Sequence, residues 1–146
     1  MTERTVFQSM PRRLLVSLGP GATVREAACR MTQANCGSVL IVDAASALLG
    51  ILTERDLMTR VLAKSVDPDK TPVSSVMTPH PQCIAPETKV ADAVVIMIER
   101  GFRHLPVIGE GKQILGVFSV RDALPREIGT AVSLAEFNEQ VNDSLG

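Results

Sequence analysis

The sequence contains no tryptophan and no tyrosine, and its four phenylalanines bring the aromatic content to only 3%. Recognition of single-stranded nucleic acid by base stacking needs aromatic platforms, which such a chain cannot supply. An excess of one charge is also missing. Fifteen Lys and Arg stand against sixteen Asp and Glu, a net charge of -1, so there is no broad basic face for a duplex. Apolar runs such as Val39 to Val42 and Val94 to Ile98 fall far short of the roughly 20 residues that span a bilayer. The three cysteines, Cys29, Cys36 and Cys83, are odd in number and far apart, and the opening MTERTVFQSMPRR has no apolar stretch of signal-peptide type. The sequence therefore reads as cytoplasmic, free of disulfides, and without nucleic-acid or membrane partners.

What is present is a chain of 146 residues, 45% hydrophobic, large enough to bury a core without metals or disulfides. Sliding the chain by 66 residues lays 20–60 onto 86–126 without a gap. Identities then fall at Pro20/Pro86, Val24/Val90, Ala27/Ala93, Met31/Met97, Leu49/Leu115, Gly50/Gly116, Arg55/Arg121, Asp56/Asp122 and Arg60/Arg126. Self-similarity of this kind marks two copies of one supersecondary unit.

Each copy opens on a short extended segment, Leu14 to Leu18 or Gln82 to Ala85, stopped by a proline. A helix follows. Thr23 and Glu26 have the spacing of a capping box, with Thr88 and Asp92 a looser version in the second copy. Val24, Ala27, Ala28 and Met31, and again Val90, Ala93, Val94 and Met97, recur at i, i+3, i+4, i+7 and predict one buried helical face. The helices end at Asn35 and Gly101, the residue types that best accept a left-handed C-terminal position. Hairpins are predicted from Val39 to Val42 with Leu49 to Leu52, and from Leu105 to Ile108 with Leu115 to Phe118. A second helix starts at Thr53 or Ser119, and Pro125 should shorten or kink its second copy. Each copy is thus β-α-β-β-α in an α+β fold, with repeat one over 5–66, repeat two over 71–128 and a C-terminal amphipathic helix over 129–146. The turn-rich 67–72 links the repeats.

Catalysis finds little support. His80 and His104 are the only histidines and neither has zinc-ligand spacing, while Cys29 in the first helix and Cys36 before a strand read as small apolar residues. No catalytic and no metal-ligating residues are expected. The strongest chemical signal is LGILTERD at 49–56 with its partner LGVFSVRD at 115–122. Thr53 or Ser119 as N-cap with Asp56 or Asp122 at the third helical position satisfies orphan amides at a helix start. The same residues suit a ligand: a hydroxyl and free amides meet a phosphate or sugar oxygen, and a carboxylate accepts from both hydroxyls of a ribose. Arg55, Arg60, Arg121 and Arg126 read as solvated residues of the second helices. Thr78, in VMTP at 76–79, either caps a turn or reaches a ligand.

The tandem units, the twofold GhhT/SxxD signature, VMTP and RHLPVI at 103–108 resemble a pair of cystathionine β-synthase (CBS) domains, the Bateman module, in the form of a small stand-alone bacterial-type CBS-pair protein. The resemblance spans roughly 5 to 128. It implies two repeats packed about a pseudo-twofold axis, with clefts that take adenosyl ligands such as AMP, ADP, ATP, NAD or S-adenosylmethionine as regulatory ligands. In the first cleft, Thr53 and Asp56 would hold the ribose opposite Pro81, Gln82, Phe102, Arg103, His104 and Pro106, with Arg103 and His104 on the phosphate. In the second, Ser119 and Asp122 would face Val16, Gly37, Ser38 and Val39. There Gly37-Ser38 replaces Arg103-His104 and leaves no counterpart for a phosphate. The resemblance further implies a homodimer, with Leu57, Met58, Val61 and Leu62 on one helix face as its apolar seam, and signalling to an unidentified downstream protein. The alternative is an interaction module that dimerises and binds no nucleotide.

Overall fold

The computed structural model describes residues 3–10 and 15–145; Leu14, predicted to open an extended segment, lies outside them. The elements are α1 (Val6–Ser9), β1 (Ser17–Leu18), α2 (Val24–Ala34), β2 (Ser38–Val42), β3 (Leu48–Thr53) and α3 (Glu54–Asp56), which continues as a π-helical segment, Leu57–Leu62. Then come β4 (Thr78–Pro79), α4 (Val90–Arg100), β5 (His104–Ile108), β6 (Ile114–Ser119) and α5 (Pro125–Leu145). The chain forms two compact units. One is 14–81, and the other joins 1–13 to 82–146.

In the 14–81 unit, β1 runs parallel to β2, β2 antiparallel to β3, and β3 antiparallel to β4. The inward face of α2, Val24, Ala27 and Met31, packs on Val39, Ile41 and Leu52 of the hairpin, closed by Val61, Val73 and Val76. Asn35 ends α2 in the left-handed conformation, as its residue type predicts. The hydroxyl half of the predicted capping box forms, with Glu26 N donating to Thr23 Oγ1 at 3.1 Å. The first helical amides turn elsewhere: Val24 N donates to Thr71 O and Arg25 N to Pro68 O, both at 3.0 Å. The linker itself thus closes the helix start. Arg25 also pairs with Asp69 across the same junction.

The other unit repeats this plan. β5 pairs antiparallel with β6, and Ile84 bridges Val107 in parallel, as Leu18 does Ile41. Val90, Ala93, Val94 and Met97 of α4 pack with Leu105, Val107 and Phe118, as predicted, and Val6 and Ala131 complete the core. Gly101 ends α4 at φ 77°. The capping expectation at Thr88 is corrected: the N-cap is Lys89, without a side-chain bond, and Val90 N donates to Arg4 O at 3.0 Å. The residues preceding repeat one supply the acceptor here.

Those residues are a copy of the linker that closes α2. Val6 N bonds Thr88 O as Val73 N bonds Ala22 O, and Phe7 N bonds Pro86 O as Ser74 N bonds Pro20 O. Val6 and Val73 are both fully buried, a burial worth about 1.5–3 kcal/mol apiece. Segment 4–10 therefore corresponds to 71–77 at an offset of 67, and each folds with a repeat other than the one it leads into by sequence.

The helix that starts at Ser119 is short, as the proline ahead of it predicts. A single 3-10 turn, Val120–Asp122, follows β6, and Pro125 then begins the continuous 21-residue α5, the first helical position being where proline's fixed φ and missing amide cost nothing. The boundary expected between 128 and 129 falls inside this helix. Its first turn is held by Glu127, which accepts from Leu124 N at 2.8 Å and takes both Arg4 Nη2 at 2.7 Å and Arg4 Nε at 3.1 Å. Arg4 Nη2 also donates to Asp122 O. The Arg4 guanidinium holds the Glu127 carboxyl below its ordinary value against the opposing effect of burial. Because the folded-state value is depressed, this pair stabilises the fold above the unfolded value of about 4.3 and loses that contribution as pH falls through the folded one. Arg4→Ala is expected to cost about 1–3 kcal/mol at neutral pH. Chemical denaturation from pH 7 downward checks it: the gap between wild type and variant should narrow only below about pH 4.3, and a gap that is constant with pH contradicts the assignment.

Candidate functional site

Both hydroxyl-and-aspartate pairs stand where a hairpin's return strand turns into a helix. In repeat one, Thr53 N donates to Asp56 Oδ2 at 2.9 Å, Thr53 Oγ1 donates to the same oxygen at 3.1 Å, and Asp56 N returns to Thr53 Oγ1 at 3.3 Å. Asp56 is only 8% exposed. In repeat two, Ser119 N donates to Asp122 Oδ2 at 3.0 Å, while Ser119 Oγ accepts from Arg121 N at 3.3 Å. The helix-start role is realised at both places. A carboxylate so placed has one oxygen committed to the cap and a second lone-pair face that the cap does not use.

The neighbours of each pair repeat as well. Ser38, nearly buried, is in register with Thr53, and His104 with Ser119. Glu54 N donates to Gly37 O at 3.0 Å, and Val120 N to Arg103 O at 3.2 Å. Val16 O accepts from Leu40 N, which places β1 beside the same hairpin. In their own units, then, Thr53 and Asp56 stand with Val16, Gly37, Ser38 and Val39, and Ser119 and Asp122 with Arg103 and His104. Phe102 and the Arg103 side chain are exposed, Gln82 and Pro81 are half-buried, and Pro106 is buried within β5. Val39 has its side chain wholly in the core. Thr78 belongs to β4 and pairs with Ile51.

Two expectations are corrected. Cys29 is exposed on α2 rather than filling its core face, whereas Cys36 is half-buried with its thiol against Ser38 O at 3.3 Å. The four residues predicted as one apolar seam divide: Val61 and Leu57 turn into the core, and Met58 and Leu62 are 58% and 78% exposed. Among the described residues no group of three His, Cys, Asp or Glu could hold a metal ion, and no helix is long and apolar enough to cross a membrane.

Arg60 is exposed, as the sequence reading has it, but it also makes contacts that the sequence did not show. Its Nε lies 3.5 Å from Asp56 Oδ1, and its Nη1 donates to Val76 O at 3.2 Å and Met77 O at 3.1 Å. The recurrence of arginine four residues after each aspartate, at 60 and 126, was the signal available for it. Gly50 was visible as a repeat identity and as the glycine of the GhhT/SxxD signature, without a reason for either. A Cβ there would stand 2.5 Å from Met77 Sδ and 2.8 Å from Thr78 O, so β4 can lie against β3 only over a glycine.

A family model described as CBS domain matches the chain twice, over 8–63 and 73–127. An uncharacterised 17.7 kDa protein of Acidianus ambivalens is 37% identical over 103 residues, which cover 70% of this chain and 61% of that protein. A CBS domain-containing protein of Arabidopsis thaliana is 39% identical over 112 residues, 77% of this chain and 20% of its own length. The chain thus spans less than two thirds of the first and one fifth of the second. Among solved structures, a CBS-domain containing protein of Agrobacterium tumefaciens matches with a TM-score of 0.72 at 32% identity, over 81% of this chain and 94% of that one. A CBS domain protein of Pyrobaculum aerophilum, complexed with AMP, matches with a TM-score of 0.78 at 24% identity, over 90% and 100%.

Proposed function

The chain belongs to the CBS-domain family, and from that membership we propose that it is a regulatory module binding an adenine nucleotide and signalling its occupancy to a protein partner. The observation that carries this reading is the repeated pair Thr53/Asp56 and Ser119/Asp122, in which the same backbone bonds fix a hydroxyl and a carboxylate at a strand end. The complex of the Pyrobaculum protein with AMP supports the ligand class. AMP, ADP, ATP, NAD and S-adenosylmethionine share the adenosyl ribose that such a carboxylate would recognise. The first site of this reading comprises Thr53, Asp56, Pro81, Gln82, Phe102, Arg103, His104 and Pro106. The second comprises Ser119, Asp122, Val16, Gly37, Ser38 and Val39. Arg103 offers charge-assisted bonds to a phosphate, worth roughly 1.5–3 kcal/mol each, where Gly37 and Ser38 offer neutral donors. The first site is therefore the tighter. The exposed Met58 and Leu62 are the residues proposed to meet a second copy in a homodimer.

One observation favours the alternative, an interaction module that binds no nucleotide: both carboxylates already serve helix caps. Calorimetric titration with AMP, ATP, NAD and S-adenosylmethionine separates the two readings. We expect sub-millimolar binding of at least one, with unequal sites, and sedimentation of the same samples as a dimer at tens of micromolar. Binding of none of the four below millimolar rejects the nucleotide reading in favour of the interaction module.

A further inference from the structure

The two oxygens of Asp56 have different surroundings. Oδ2 takes the Thr53 amide and hydroxyl, whereas Oδ1 faces the Arg60 Nε at 3.5 Å. That distance is too long for a strong hydrogen bond and short enough for an ion pair, so Oδ1 keeps lone pairs for another donor. Arg60 is not free to turn. Its Nη1 is anchored on the carbonyls of Val76 and Met77, and because the guanidinium is a rigid plane, fixing one edge fixes where Nε points. The anchor is itself held. Val76 N and Met77 N both donate to Val73 O, the Val73 side chain is fully buried, and Thr78 and Pro79 pair with Ile51 and Gly50 of β3, the strand that ends at Thr53. The loop from β3 through Asp56, Arg60 and Met77 back to β3 is closed within one unit. Arg60 also lies in the π-helical segment Leu57–Leu62, a backbone form that is rare and concentrated at functional sites.

We infer that Arg60 is a positioning residue for the nucleotide site: it aims Asp56 Oδ1 at the ribose hydroxyls. The inference rests on the nucleotide reading above and adds to it a residue that touches neither ribose nor phosphate. An arginine engaged by Asp56 and two carbonyls acts on the ligand through the carboxylate, so its effect follows the ribose hydroxyls and not the phosphate.

Calorimetry on the full chain with AMP, adenosine and 2′,3′-dideoxy-AMP tests this. Arg60→Met should weaken AMP and adenosine alike by roughly tenfold, leave dideoxy-AMP unchanged, and add nothing in the Asp56→Asn background. Arg60→Lys, a point charge without the fork, should fall between; it also serves should the methionine variant unfold by circular dichroism. Loss for AMP with adenosine unchanged overturns the inference in favour of a direct phosphate contact. Equal loss for AMP and dideoxy-AMP, or no loss for any ligand, overturns it in favour of a purely structural anchor. A wild-type chain that binds none of the three removes the nucleotide reading and this inference together, whereas wild-type binding with an unaffected Arg60→Met removes this inference alone.

Discussion

Asp56→Ala is expected to lower nucleotide affinity at the first site at least tenfold and to lower the melting temperature by several degrees, and the two losses have separate causes. The stability loss comes from the cap: the variant leaves Thr53 N, which is part-buried, without its acceptor, at a cost of about 1–2 kcal/mol. The affinity loss comes from the oxygen that the cap does not use. A hydrogen bond to a charged acceptor contributes about 1.5–3 kcal/mol, and about 1.4 kcal/mol is already tenfold. Asp56→Asn separates them, since an amide oxygen of the same size still accepts from Thr53 N but carries no charge. It should keep most of the melting temperature and still lose most of the affinity. Glu54→Ala, at an exposed spacer of equal charge, should change neither. If titration gives the Asn variant wild-type affinity, Asp56 is a cap alone.

The other large effect is one of volume. Gly50→Ala should destabilise the fold by about 2–3 kcal/mol, a fall in melting temperature of about 5–10 °C, because the added carbon would meet Met77 Sδ at 2.5 Å and the Thr78 carbonyl at 2.8 Å. The methionine is flexible and can yield, but the carbonyl belongs to β4, so relief requires the strand to leave its pairing with β3. The same displacement moves the Met77 carbonyl that holds Arg60, so nucleotide affinity should fall with stability. Gly21→Ala is the control, with nothing within 4 Å of its added carbon. Thermal melts of the two variants that coincide contradict the assigned packing.

Much of this was legible in the residues. The 66-residue offset predicted both amphipathic helices with their buried faces, both hairpins and the left-handed ends at Asn35 and Gly101, because each is a local pattern repeated. The leading segments were missed. Val6 and Val73 match at an offset of 67, one residue out of step with the rest, and their partners at Thr88 and Ala22 are distant in sequence. Pro125 was legible as the residue that keeps the helix after Ser119 to one 3-10 turn, but not as the first residue of α5, because proline is excluded from a helix interior and favoured at a helix start. Thr53 and Asp56 were found for two roles at once. Local geometry realises the cap, while the ligand role depends on chemistry that spacing alone does not contain. The contacts of Arg60 escaped because its acceptors, the Val76 and Met77 carbonyls, are main-chain atoms with no mark in the sequence.

The leading segments have a consequence for how the chain can be divided. The period written in the sequence and the unit that folds are out of phase: the polypeptide starts in one unit, completes the other, and returns. A cut at the linker yields unequal halves. The stretch 15–81 retains Val73, the plug of its own core, while 82–145 leaves the place of Val6 open and Glu127 without Arg4. A tag or truncation at residues 3–10 therefore acts as a lesion in the second repeat, about eighty residues downstream, at the helix start where Val90 takes its acceptor from Arg4.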